Sequence, residues 1–370
     1  VGCTFAIESF PYLKNLTGLD SLKSVGGFAT SFSSFESLDG LQGLTKTASV
    51  KINSSPHMKV LTGLENLVVV GYLRVSGCDS IVDLSGLNSL QKVDDLLIFG
   101  NDNLINLKGL ENLDTIFNDL RIHKNPVFES FEGLHTKAVL GGIWFWVLPE
   151  LKDFSTFCCL DHIGEIFSVM ESGITSLAGL EAIESLISLR LGLNENLQSL
   201  NGVENLTELN FLSLFDNEML SDIDALSETD PESYGVSANP TIIITDNPML
   251  SNCSIEPICL ALEKPEVVSD IANNLSFCDT RDSILSQCLV NTGEENLTDP
   301  FIKIYPNPAT EIIWAESEIA QSIILLNSIG HEIKKYSLNQ GVTELDLNNL
   351  SSGVYFLKAE TGEMIKVIKF

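Results

Sequence analysis

The chain has 370 residues, 44% of them hydrophobic, with 50 Asp and Glu against 21 Lys and Arg for a net charge of −29. That charge excludes a nucleic-acid backbone as partner and predicts a solvated, self-repelling surface, and the lack of any run of about 18 uncharged apolar residues excludes a membrane-spanning helix. Residues 299–370 carry 9 acidic and 6 basic residues, so the other 41 and 15 place the acidity in the long N-terminal part.

The first residues, Val1-Gly2-Cys3, read as a mature form with its signal peptide removed, or as a fragment. A repeat then governs the chain. VGYLRVSGCDSI (70–81), VDDLLIFGNDNL (93–104), FNDLRIHKNPVF (117–128), LGGIWFWVLPEL (140–151), IGEIFSVMESGI (163–174), LISLRLGLNENL (186–197) and LNFLSLFDNEML (209–220) share Φ-x-x-Φ-x-Φ-x-x-N-x-x-Φ, with Φ apolar. Cys78 and Leu148 stand in the Asn place, and Ser168 and Glu171 depart from the pattern. The first residue of each Φ-x-Φ pair falls at 28, 50, 73, 96, 120, 143, 166, 189, 212 and 242, with a fainter copy at Phe5. TGLENL, SGLNSL, KGLENL, AGLEAI and NGVENL recur in phase between the pairs.

A period of about 23 residues over 10–11 coils predicts a mainly β solenoid, in which each coil buries its apolar edge by stacking on its neighbours. The connectors are too short and Gly-rich for long helices, so turns, 3₁₀ segments or short strands are expected behind the sheet. Asn101, Asn125, Asn194, Asn217 and Asn247 are expected to form an inward ladder, because an amide both donates to and accepts from buried turn backbone.

Alternate strand residues face opposite ways, which sets the exposed face. Between the inward pairs lie Lys51, Arg74, Leu97, Arg121, Trp144, Phe167, Arg190, Ser213 and Ile243. The next outward row is Asn53, Ser76, Phe99, His123, Trp146, Val169, Gly192, Phe215 and Thr245. At a strand spacing of ~4.8 Å, Trp144 is expected beside Arg121 and Phe167, with Arg121 stacking by a cation–π contact, and Trp146 beside His123 and Val169.

The pattern L-x-x-L-x-L-x-x-N/C-x-x-L resembles the leucine-rich repeat, and the Gly-Leu-Glu-Asn-Leu connector makes the chain similar to the receptor L-domain variety over residues 1–251. That resemblance implies binding rather than catalysis.

Beyond the repeat, Asp222, Asp224, Glu228, Asp230 and Glu232 read as a solvated acidic loop, with a calcium site as the alternative. Residues 252–290 contain Cys253, Cys259, Cys278 and Cys288 without C-x-x-C spacing, which favours disulfides over zinc. Three pairings are allowed; Cys253 with Cys278 and Cys259 with Cys288 is preferred, as a disulfide cap with ICLALEK as its helix. Cys78 is expected to be a buried thiol, and Cys158 and Cys159 one core and one surface thiol.

Residues 291–299 read as a linker and 300–370 as a small Ig-like β-sandwich of short alternating runs. Here Tyr305-Pro306-Asn307-Pro308-Ala309, Gly330, Gly353, Tyr355, Lys366 and Lys369 resemble the type A C-terminal sorting domain of the Bacteroidetes type IX secretion system. The resemblance implies export through the periplasm by the secretion machinery, then release or attachment to surface lipopolysaccharide. Passage through an oxidising compartment agrees with disulfides.

No hydrolase, P-loop or EF-hand signature is present, and the five histidines are scattered. The expected function is therefore a secreted or cell-surface binding or adhesion protein, without cofactor or metal. Trp144, Trp146, Phe167, Arg121, His123, Arg190 and Phe99 are the candidate ligand residues for a glycan or protein. A right-handed β-helix polysaccharide-active enzyme is the alternative, with Asp95, Asp119 and Glu165 as its strand-face carboxylates.

Overall fold

The computed structural model describes residues 3–157, 159–235, 241–291, 302–317, 320–327, 331–359 and 364–369. Cys158, Gly330 and all but the first residue of the 291–299 linker lie outside them. The chain divides into two compact units, Val1–Thr292 and Gly293–Phe370.

In the first unit twelve strands lie side by side in chain order as one parallel sheet: β1 (Thr4–Glu8), β2 (Gly27–Ser31), β3 (Lys46–Asn53), β4 (Val69–Ser76), β5 (Lys92–Phe99), β6 (Leu120–His123), β7 (Ile143–Leu148), β8 (Ile166–Ser172), β9 (Ser185–Gly192), β10 (Glu208–Phe215), β11 (Ile242–Thr245) and β12 (Ser269–Ala272). Eleven steps between twelve strands make a β-solenoid of about eleven turns. Short strands at Thr115–Ile116, Ala138–Val139 and His162–Ile163 pair in a second parallel row before their main strands.

The recurrent Gly-Leu-Glu-Asn-Leu has a local cause. Gly63 and Gly202 adopt φ of +104° and +115°, and a Cβ on either would stand 2.0 Å from the carbonyl oxygen of Leu38 or Leu177 one turn earlier. Only glycine satisfies both demands. The following Glu closes the turn, Glu65 and Glu204 accepting the Gly63 and Gly202 N–H at 2.8 and 2.9 Å. The Asn then ties turns together, since Asn205 Nδ2 donates to the Glu181 carbonyl at 2.8 Å. Part of the chain's acidity is thus turn chemistry.

Each strand leaves through one residue in left-handed conformation. Gly77 and Gly100 take that place with φ of 61° and 60°, but so do Lys124 (54°), Val147 (57°), Glu171 (49°) and Leu193 (58°). The next residue turns inward into a ladder. Asn101 Oδ1 accepts the Cys78 N–H at 3.0 Å, and Asn125, Asn217, Asn247 and Asn274 repeat this for Asn101, Asn194, Asn217 and Asn247. Burial holds the Cys78 thiol up to about 12, which keeps it protonated and inert.

The inward rows form one continuous apolar core, mostly Leu, Ile and Val. Under β7 and β8 it changes to phenylalanine. Phe131 stacks on Phe157 at 4.8 Å and on Phe154 at 5.8 Å, and Phe154 meets Phe167 edge-on at 5.2 Å.

Phe167 corrects the expected register. It is 0% exposed and pairs with Ile143, while Trp144 pairs with Ser168 and Trp146 with Met170. The turn before β8 carries one more residue than the pattern assumed, and with a period of two a shift of one exchanges the faces. Phe167 and Val169 are the inward pair, and Ser172 takes the ladder place between Leu148 and Asn194.

The sheet also runs on into residues 252–290. There β12 pairs with β11 in register, between α1 (Glu256–Glu263) and α2 (Arg281–Asn291). Disulfides join Cys253 to Cys278 and Cys259 to Cys288, with Cα–Cα separations of 5.4 and 5.5 Å.

The second unit has two antiparallel sheets around one core. Ile302–Tyr305, Ile312–Ser317 and Gly341–Asp346 form one; Gln321–Asn327, Glu332–Leu338, Gly353–Ala359 and Met364–Lys369 form the other.

Candidate functional site

On the outer face of the main sheet, Phe99, His123 and Trp146 stand in one register row across β5, β6 and β7. Trp146 is 42% exposed, and its ring meets the His123 imidazole edge-on at 6.2 Å. Lys124 follows β6 in the left-handed position, and its Nζ lies 5.8 Å from the Phe99 ring centroid and 5.6 Å from that of Trp146. An ammonium between two aromatic faces is held by their quadrupoles. Trp146 is fixed further by its Nε1, which donates to Glu171 Oε1 at 2.8 Å.

Trp144 differs from its neighbour. It is half-buried, and its Nε1 is shielded from water without a hydrogen-bond partner. The ring folds back over Gly142, whose missing side chain gives it room. Asp119 assembles the surroundings: Oδ1 accepts the Gly142 N–H at 2.7 Å, and Oδ2 pairs with Arg121 Nη2. Arg121 therefore binds a carboxylate, and the expected stack on Trp144 is replaced by this ion pair. The cation–π contacts beside the tryptophans belong to Lys124.

His123 Nε2 is likewise buried without a partner. Burial, and then the Arg121 charge, lower the His123 pKa, against a hydrogen bond to the Trp144 backbone that raises it. The ring is thus held neutral at pH 7.

Of the seven candidates, the structure brings together Phe99, Arg121, His123, Trp144 and Trp146 on three adjacent strands. Arg190 stands farther along the face on β9, 4.7 Å over the Phe211 ring. Phe167 is in the core. Lys124, Glu171, Asp119 and Gly142 complete the site and lie outside the Φ-x-Φ pattern. Lys124 and Glu171 share the left-handed place at the strand's end, a recurrence visible in the sequence at Gly77, Gly100 and Asn273.

Beside Glu171, the turns that follow β7–β12 enclose an open cavity of about 800 Å³ lined by Glu171, Glu195, Asp216, Glu218 and Asp246 among others. Among the described residues, no three metal-ligating side chains gather to hold an ion. In the acidic loop, Asp222 and Asp230 accept the N–H groups of Asp224 and Glu232, and Glu232 pairs with Lys264 at 2.8 Å.

In the second unit, Asn307 docks against the last strand. Its Nδ2 donates to the Lys366 carbonyl at 2.7 Å and its Oδ1 accepts the Ile368 N–H at 2.8 Å. Tyr355 is buried and its hydroxyl donates to the Ser351 carbonyl at 2.7 Å, while Tyr305 stacks on Trp314 at 6.3 Å. Gly353 pairs with Lys369 across the final hairpin.

Residues 303–370 match the family of the secretion system C-terminal sorting domain. The sorting domain indicates export by type IX secretion and a secreted or cell-surface destination. Its interaction with the secretion machinery follows from the same match. No helix among the described residues is long and apolar enough to cross a membrane. No curated protein matches the chain.

Proposed function

We propose that the solenoid is the cargo and acts as a binding module of the leucine-rich-repeat, receptor L-domain kind, closed at its end by the crosslinked α1–α2 segment. Its outer sheet face is the contact surface for a glycan or protein ligand outside the cell, with attachment to surface lipopolysaccharide or release after sorting. The observation that carries this reading is the Phe99–His123–Trp146 row with Lys124 between the rings. A half-buried aromatic row with Trp146 exposed at its end, on a rigid sheet, has the composition of a binding hot spot, and the phenylalanine core beneath makes it preorganised.

The alternative, a polysaccharide-active enzyme on a β-helix, needs carboxylates free to exchange protons. Asp119 is occupied by Arg121 and the Gly142 N–H, and Asp95 Oδ2 accepts from Asn118 Nδ2 at 3.1 Å. Asp119 thus acts as a positioning group, which takes one of the three strand-face carboxylates out of acid–base work and supports binding over turnover. The test is a glycan and protein binding screen paired with a turnover assay on acidic polysaccharides, with Trp144→Ala/Trp146→Ala as control. Binding that vanishes in the double variant supports the platform. Product formation that survives it refutes the platform.

A further inference from the structure

The chain has four arginines, Arg74, Arg121, Arg190 and Arg281. Arg281 is structural, donating to the carbonyls of Leu262, Lys264 and Val267. The other three occupy one register row. Strand by strand that row runs Lys51, Arg74, Leu97, Arg121, Trp144, Ser168 and Arg190. Its first carboxylate is Asp270, on the last strand. Lys51 to Arg190 is six strand steps, roughly 29 Å at ~4.8 Å each.

The guanidinium groups are held against the sheet. Arg74 Nε donates to Ser76 Oγ at 3.1 Å, and Arg190 Nε to Ser188 Oγ at 3.0 Å. Among the described residues neither meets a carboxylate and neither has a hydrogen-bond partner at its Nη groups, the Arg190 guanidinium lying over the Phe211 ring. Lys51 lies 5.3 Å over the Tyr72 ring and is also unpaired with any described carboxylate. In a chain of net charge −29, three cations of this row, Lys51, Arg74 and Arg190, thus stand without a described carboxylate partner, while Arg121 is paired with Asp119. These three cations give an acidic chain a place on the sheet where an anion can be held.

Granted that the sheet face is the binding surface, we infer that its ligand is an extended acidic polysaccharide of the uronate type, laid across the strands. Guanidinium forks suit carboxylates in bidentate geometry, and the indoles offer flat faces to sugar rings. A repeating polymer matches a repeating row. An acidic peptide would satisfy the cations and leave the indoles without ring partners.

The experiment measures binding of the full chain to polygalacturonate and alginate, to a neutral β-glucan and to poly-L-glutamate, between roughly 50 and 200 mM salt. The expected result is uronate binding that weakens with salt, falls about tenfold in Arg74→Gln and in Arg190→Gln, and is only partly restored in Arg74→Lys, which returns the charge without the fork. Unchanged thermal unfolding of the variants separates this loss from misfolding, and Trp146→Ala weakens the same binding. Neutral glucan bound through Trp146 without arginine dependence overturns the inference and leaves the binding face standing. Poly-L-glutamate bound as tightly as uronate overturns the glycan in favour of an acidic peptide. No binding to either uronate overturns the inference outright, and no binding to any probe, with none in the wider screen, overturns the binding face as well.

Discussion

The indole of Trp144 lies over Gly142, its Nε1 2.7 Å from where a Cβ on that glycine would stand. Gly142 precedes Trp144 by two residues, so both face outward, and a bare backbone there lets the ring lie flat. Gly142→Ala leaves the backbone conformation accessible but forces the indole off the sheet. We expect a cost of about 1–3 kcal/mol and red-shifted Trp144 emission, read in a Trp146→Phe/Trp314→Phe background. Unchanged emission and stability would place the indole elsewhere.

Phe167 and Ile166 decide the register of β8. With Phe167 in the aromatic core, Phe167→Ala is expected to cost about 3–5 kcal/mol in denaturant unfolding. Ile166→Ala, at a half-buried outer position, costs less. The reverse order would restore the register expected from the repeat pattern.

Gly63 and Gly100 both have positive φ but differ in their surroundings. A Cβ on Gly63 meets the Leu38 carbonyl, and one on Gly100 meets nothing within 4 Å. Gly100→Ala therefore carries only the left-handed penalty, about 1–2 kcal/mol, and Gly63→Ala must also separate two turns. Equal midpoints for the two variants in urea would contradict the turn account.

His123 gives the fold a pH signature. Its folded pKa lies below the ordinary value of 6.5, chiefly through burial, so the unfolded chain binds the proton first. The contribution is intact above about pH 6.5 and is lost as pH falls below it. Unfolding free energy measured from pH 7.5 to 5 should fall more steeply in the wild type than in His123→Gln. Parallel profiles would mean that the imidazole is as well solvated folded as unfolded.

Much of this was legible in the residues. The Φ-x-Φ spacing marks eleven of the twelve face strands, because stacking forces the same inward pair in every turn, and the Asn places follow from buried turn backbone. The pattern lost one residue before β8 and with it Phe167, since no composition signal marks a one-residue insertion. It missed β12, hidden among cysteines that read as cap. Lys124 and Glu171 escaped because left-handed residues are expected to be glycine or asparagine, and here tertiary stacking imposes that conformation on Lys, Val, Glu and Leu.

The central claim is that the outer sheet face around Trp146 is where the ligand sits. Hydroxyl-radical footprinting of the full chain, with and without the ligand found in the binding screen, tests this directly. The account predicts protection of Phe99, Trp144 and Trp146, with Ile105, Phe117 and Met249 reacting as in the free protein. Protection confined to those last three, with Trp146 unchanged, would contradict it.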